Sequence, residues 1–434
     1  MVFSNTNHDL GNVHPAGLPL DGFTKEEFLK RRQALHALHP NMIIIVRGNE
    51  ERGASFPLPF RQNSSFFYFT GLDTPGCTLV LLPDGIAANT GARELKSSTS
   101  EILFLPDRNP AEEAWTGEKL GPGEVTEGIT GIEKTMPVSS LWSVLTGWLK
   151  QCAIVGLMAP YGEHCAISEE YELMQRVQSI APVVTCTDIA PALAVLRSIK
   201  SQAEIDRMRQ AVRVTMHAQR AAEAVIKSGA GRGEYEVEAA IQHAFHSLNA
   251  SPSFAPIVGS GIRSTVLHYE SNSQIMQGGD SVVVDIGAYV GHYCGDITRT
   301  YPVGGSWSER HQQIYDLVRA AHHHVVDSFQ LGVDTILSVA ETCKKFYNAS
   351  PLRAKGADGN EQNMDAFLPH GICHHLGLDV HDIHKSVDWK APLKPGAVVT
   401  IEPGLYLPGE AIGVRLENDY VVTEQGLQSL GEPV

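Results

Sequence analysis

The sequence predicts two domains in series: an alternating α/β domain in front, then an α+β domain of long helices and antiparallel hairpins. Three observations carry that expectation. At 434 residues the chain exceeds what one hydrophobic core ordinarily serves. Its 43% apolar and 19% charged content is that of a soluble globular protein. Short apolar strands alternate with helical patterns until about residue 186, where the texture turns to helix-rich runs followed by hairpins.

The opening stretch, 1–22, has no basic segment leading into an apolar run and no arginines of a transit peptide, so it reads as a flexible leader. "FTKEEFLKRRQALHALH" (23–39) has helical spacing, with Phe28, Leu35 and Leu38 on one side. "NMIIIVRG", "SSFFYFTG", "CTLVLLPDG" and "EILFLPDR" read as strands, each closed by a turn signal. "SSLWSVLTGWLK", "AIVGLM" and "ISEEYELMQRVQSI" continue as helix, strand and helix. The helix formers that follow run to Gly229, as a long helix or helix pair would. The boundary falls within 185–195, giving a front domain of 23–188 and a rear domain of 189–434. Behind it come helices in "YEVEAAIQHAFHSL", "ERHQQIYDLVRAAHHHVVDSF" and "ILSVAETCKKFYNAS". In "HHH" (322–324) helical spacing predicts one buried and two exposed histidines.

A net charge of −15 argues against nucleic acid or an anionic membrane as partner. No stretch approaches the ~18 continuous apolar residues of a membrane span. Seven scattered cysteines without a C-x-x-C pair suit reduced thiols in a cytoplasmic protein.

Two hairpins carry the chemistry. In "VVVDIGAYVGHYCGD" (282–296), a fold at Val290-Gly291 sets Asp285 directly across from Asp296. In "AVVTIEPGLYLPGEAIGVRLENDYVVT", a turn centred on Pro408-Gly409-Glu410 likewise opposes Glu402 and Glu417. Like charges opposed on one sheet face are destabilising. One such pair can be an accident of register; two need a cation. The span 370–384, "HGICHHLGLDVHDIH", holds five of the 19 histidines and supplies the imidazole candidates, although spacing alone does not choose between His370 and His374. Four carboxylates and one imidazole match the charge of two divalent ions, and oxygen-rich sets favour Mn²⁺ or a similar ion over structural Zn²⁺.

These residues and their surroundings, "DIGAYVGHYCGDITRTYPV", "PHGICHHLGLDVHD", "TIEPGLY" and "GVRLEND", resemble the dinuclear metal signature of the aminopeptidase P and prolidase family. "PFRQNSSFFYFTG" (59–71) and "EEAWTGEKLG" (112–121) resemble that family's N-terminal domain, so the likeness covers nearly the whole chain. It implies a pita-bread (creatinase/aminopeptidase-like) catalytic domain behind the α/β domain. It also implies a ligand set of Asp285, Asp296, His374, Glu402 and Glu417, with Asp296 and Glu417 bridging two ions: Mn²⁺ first, Co²⁺ or Zn²⁺ as alternatives. By the same resemblance Glu402, His381 and His268 are catalytic, His370, His268, His381 and Arg415 contact substrate, and Trp115 reaches a neighbouring subunit's site.

The activity so implied is that of an Xaa-Pro aminopeptidase. Two close ions share a water whose pKa falls enough to supply hydroxide near neutrality. That hydroxide attacks the carbonyl before proline, a bond whose nitrogen has no N–H. Substrates are peptides with proline second, and the assembly is a homodimer or homotetramer. A prolidase restricted to Xaa-Pro dipeptides is the alternative. A non-catalytic scaffold of the same fold is a weaker one, because such scaffolds generally lose the ligands and all five are present here.

Overall fold

In a computed structural model of the chain the described residues are 22–51, 60–84, 86, 101–158, 169–383 and 386–434. The leader expected at 1–22 lies outside them apart from Gly22, as do Cys165 and His384. Two compact units form, Met1–Leu196 and Arg197–Val434.

Among the described residues the first unit has six strands: β1 (Ile43–Arg47), β2 (Thr78–Leu81), β3 (Glu101–Leu105), β4 (Thr135–Pro137), β5 (Ile154–Leu157) and β6 (Thr185–Asp188). Their spatial order is β4-β3-β2-β1-β5-β6, antiparallel across β1, β2 and β3 and parallel elsewhere. Helices accompany them: α1 (Lys25–Leu38), α2 (Ser64–Thr70), α3 (Pro110–Thr116), α4 (Glu124–Thr130), α5 (Leu141–Leu149), α6 (Glu169–Ile180) and α7 (Ala190–Ser198), whose last residues belong to the second unit. Ile43 and Ile45 of β1 pack with Leu145 and Trp148 of α5 and Val177 of α6. The intervening Ile44 and Val46 are buried too, so both sheet faces are covered and the strand reads as a continuous apolar run.

One expectation is corrected in this unit. "SSFFYFTG" is a helix, not a strand. Asn63 Oδ1 accepts from the Ser65 and Phe66 amides at 3.0 Å each, and Gly71 closes the other end at φ 68°. Caps at both ends override the strand preference of aromatic residues, and burial on every side removes any amphipathic signal. On α1, Leu38 is 49% exposed, whereas Arg31 and Arg32 are buried. Their guanidiniums donate to the Tyr68 and Phe69 carbonyls at 3.0 and 2.9 Å, satisfying the acceptors that the end of α2 leaves open.

The second unit repeats one scheme twice: a helix pair, then antiparallel strands. Its first half has α8 (Gln202–Lys227) and α9 (Glu234–Ser247), then β7 (Ser251–Pro252), β8 (Ile257–Ser260), β9 (Ser281–Ile286), β10 (Ala288–Val290), β11 (Tyr293–Cys294) and β12 (Ile297–Pro302). Ser201 and Glu204 cap α8 reciprocally. Ala222 and Ile226 of α8 and Val237 and Ile241 of α9 pack on Val282, Val284 and Ile286 of β9. Its second half has α10 (Glu309–Ser328) and α11 (Ile336–Asn348), and a small hairpin of β13 (Arg353–Lys355) and β14 (Glu361–Asn363). After them come β15 (Val398–Ile401), β16 (Gly404–Leu407), β17 (Ile412–Arg415), β18 (Asn418–Thr423) and β19 (Gly426–Ser429). Ile314 and Val318 of α10 pack with Val399, Leu405 and Val414. His322 is buried while His323 and His324 are exposed, as the helical spacing predicts. Among the described residues no helix is long and apolar enough to cross a membrane.

Candidate metal centre

The second hairpin keeps its expected register. β16 pairs Gly404 with Arg415 and β15 pairs Ile401 with Asn418, so Glu402 and Glu417 lie opposite each other between two stretches of ladder. A 3₁₀ turn at Pro408–Glu410 closes the hairpin, where expected. In the first hairpin the register differs. Gly291 and His292 form the turn, both at positive φ (52° and 70°), as a two-residue hairpin turn requires. Asp285 therefore pairs with Thr298 rather than Asp296. The slip is two residues, and side chains alternate with period two, so both aspartates keep the same face.

The two hairpins join along a seam. The Glu417 amide donates to the Thr298 carbonyl at 3.1 Å, and the Arg415 amide donates to Thr300 Oγ1 at 3.1 Å. The histidine-rich segment lies along β15, with His375 bridged to Val399 and the Thr400 amide donating to the His374 carbonyl. Adjacent residues on an extended segment point to opposite sides. His374 enters the cavity. His375 is buried on the other side, where burial beside Lys200 pushes its imidazole down to about 4.

The resulting cavity measures about 680 Å³. Asp285, Asp296, His374, Glu402 and Glu417 all line it, as do His268, His370, His381 and Arg415. Trp115 does not; it lies on α3 of the first unit and is 90% exposed. His374 Nε2 stands 3.6 Å from Asp296 and 3.5 Å from Glu402. Ligand atoms of Asp296, His374 and Glu417 lie within 4.8 Å of one another. The His374 Nδ1–H donates to the His375 carbonyl at 3.0 Å, which turns the Nε2 lone pair toward the carboxylates. His370 is engaged differently: Nδ1 meets the Gly371 carbonyl at 2.6 Å and Nε2 the Tyr406 hydroxyl at 2.9 Å.

Electrostatically the cluster concentrates negative charge that a cation would offset. Burial, with repulsion from neighbouring carboxylates, holds Asp296 and Glu402 well above the ordinary carboxylate range. Burial and Asp285 push Glu417 up to about 8. Arg415 Nη2 donates to Asp285 Oδ2 at 2.6 Å, but Asp285 Oδ1 is buried with no hydrogen-bond partner among the described residues. One guanidinium against four carboxylates, together with that unmatched oxygen, fits a site made for divalent cations.

Three residues escaped sequence reasoning. Thr298 donates to Glu417 Oε2 at 2.7 Å, Tyr406 accepts from Arg415 Nη1 at 2.8 Å, and Asp419 Oδ2 accepts the Asp296 amide at 3.0 Å. A signal existed: Thr298 and Asp419 stand two residues beyond Asp296 and Glu417, and Tyr406 four beyond Glu402, the spacing of one strand face.

Comparison with known proteins gives the chain's family. The model of metallopeptidase family M24 matches residues 206–424, and that of the aminopeptidase P N-terminal domain matches 28–155. The Xaa-Pro aminopeptidase of Escherichia coli (strain K12) is 32% identical, covering 94% of each chain. A solved structure of proline aminopeptidase P II from Yersinia pestis superposes with a TM-score of 0.79 at 29% identity, over 95% of this chain and 98% of that one. Zn-substituted E. coli aminopeptidase P in complex with product superposes with 0.77 at 29% identity, over 94% and 95%.

Proposed function

The chain belongs to metallopeptidase family M24, and from that premise we propose how its own residues cut the bond between an N-terminal residue and a following proline. The protein is a metal-dependent Xaa-Pro aminopeptidase. One observation carries the reading: the four carboxylates and one directed imidazole of the proposed set share a cavity in which Arg415 is the one guanidinium among the described residues.

In this proposal two divalent ions, Mn²⁺ foremost, are held by Asp285, Asp296, His374, Glu402 and Glu417. By the family resemblance Asp285 would serve mainly one ion and His374 the other, Asp296 and Glu417 would contact both, and Glu402 would complete the set. Bound ions supply Lewis-acid polarisation and a water acidic enough to lose its proton near neutrality. Glu402, half-buried with an oxygen 3.5 Å from His374 Nε2 and another 3.9 Å from His370 Nδ1, is placed so that it would take a proton from the attacking water and return it to the leaving nitrogen. His381 and His268 are exposed on the cavity lining and donate to the developing oxyanion. His370, fixed between the Gly371 carbonyl and Tyr406, forms a wall for the pyrrolidine ring. Arg415 holds Asp285 in place and neutralises part of its charge. The proposal also includes a homodimer or homotetramer in which the exposed Trp115 reaches a second subunit's site, and a cytoplasmic setting that suits the free cysteines.

Turnover of Ala-Pro-Ala against Ala-Pro, in Mn²⁺ and after EDTA, tests the reading. Metal-dependent preference for the tripeptide is expected. Preference for the dipeptide makes the protein a prolidase, and cleavage of neither sinks the proline specificity.

A further inference from the structure

We propose that Glu270 selects peptides with a cationic side chain close to the scissile bond; this rests on the peptidase reading and deepens it. Glu270 lines the cavity two residues beyond His268, and it is exposed. It lies outside the proposed ligand set, and its carboxylate has no ion pair or hydrogen bond among the described residues. The other charges on the lining are answered. Arg415 is committed to Asp285 and Tyr406, and Asp379 is paired with Arg197 at 2.7 Å. The interior carboxylates are matched by divalent cations when these bind. Among the described residues Glu270 remains as the lining carboxylate with no counter-charge, open to a cationic solute.

Its loop is pinned on both sides. The Tyr269 hydroxyl donates to the buried Glu234 at 3.0 Å. Asn272, 2% exposed, accepts from the Val258 amide at 2.9 Å and donates to the Pro256 carbonyl at 2.8 Å and to Glu238 at 2.9 Å. Along this non-helical stretch Tyr269 turns inward while His268 and Glu270 reach the cavity. Phe254, Leu267 and Trp389 supply apolar lining in the same cavity. An apolar wall with one carboxylate at the rim matches a lysine or arginine, whose methylene stem packs while its charged tip stays near water. A partly exposed pair of this kind changes affinity by roughly twofold to fivefold.

The test compares kcat/KM for Arg-Pro-Ala with citrulline-Pro-Ala, and for Ala-Pro-Arg with Ala-Pro-citrulline, since citrulline keeps the shape of arginine without its charge. The wild type is expected to favour the charged member of at least one pair by roughly twofold to fivefold. Glu270→Gln brings that ratio toward one and Glu270→Lys inverts it. A ratio identical in all three proteins overturns the proposal. So does an equal loss on all four peptides, which marks a contact with the α-ammonium group instead. Calorimetric affinities of the same pairs read Glu270 independently of turnover. Cleavage of none of the peptides therefore sinks the peptidase reading, while the affinity ratio still decides the role of Glu270.

Discussion

Asp285 divides its two oxygens: one takes a 2.6 Å hydrogen bond from Arg415, and the other is buried with no donor among the described residues. A neutral amide keeps the shape but supplies neither the charge nor the second acceptor. Asp285→Asn is thus expected to lower turnover by more than about a hundredfold, beyond what loss of a supporting partner costs a metal site. Circular dichroism should stay unchanged. Full activity in metal-replete enzyme would contradict the ligand assignment. The histidines show what a residue-level reading of the sequence can and cannot do. Spacing alone left His370 and His374 open, because both lie in one glycine-punctuated stretch. The fold separates them by hydrogen bonding. His374 has its Nδ1 on a backbone carbonyl and its Nε2 toward acids, whereas His370 has both nitrogens occupied.

At the scale of elements, the segment that carries His381 is held from behind by buried charges. Arg197 and Lys200, flanking the junction of α7 and α8, both donate to Asp382, and the Asp382 amide donates to the His375 carbonyl. Burial alone would raise the Asp382 carboxyl; the two cations outweigh it and hold the group below its ordinary value. Asp382→Asn leaves two buried cations short of a counter-charge and is expected to cost about 3–5 kcal/mol in urea unfolding. A loss under 1 kcal/mol would show that the clamp does not support the loop. Elements also mark where sequence reading failed. The β16–β17 register was legible because Pro408-Gly409 marks the turn and the ladder continues on both sides of the acid pair. The β9–β12 register was not, because the turn chose Gly291-His292 and left-handed backbone at a histidine carries no strong sequence mark. The α2 error has the same root, since capping by Asn63 and Gly71 outweighs composition in a segment only seven residues long.

The whole second unit holds its acid cluster at a cost that depends on pH. Glu417 is raised from 4.5 to about 8, chiefly by burial, and Asp296, Glu402 and Asp419 are raised as well. A carboxyl whose folded value exceeds its unfolded value binds more protons when folded, so stability falls as pH rises through the interval between the two. Chelated protein should therefore lose stability, on the order of a few kcal/mol, between about pH 4.5 and pH 8. Divalent ions should remove that slope. Thermal unfolding with EDTA and with Mn²⁺ at pH 6 and pH 8 measures it, and parallel curves would count against four carboxylates converging on cations.

By itself the sequence determined the division of labour: alternating α/β in front, paired helices and acid-bearing hairpins behind, and the residues that meet. It could do so because strand alternation and opposed acids are local signals, written within about twenty residues of each other. Tertiary structure alone decided that Asp285 faces Thr298 rather than Asp296, which histidine turns inward, and how Thr298 and Asp419 tie the two hairpins together. The contacts of Thr298 and Asp419 depend on how two hairpins more than a hundred residues apart are joined along one seam, and no local pattern encodes contacts across that distance.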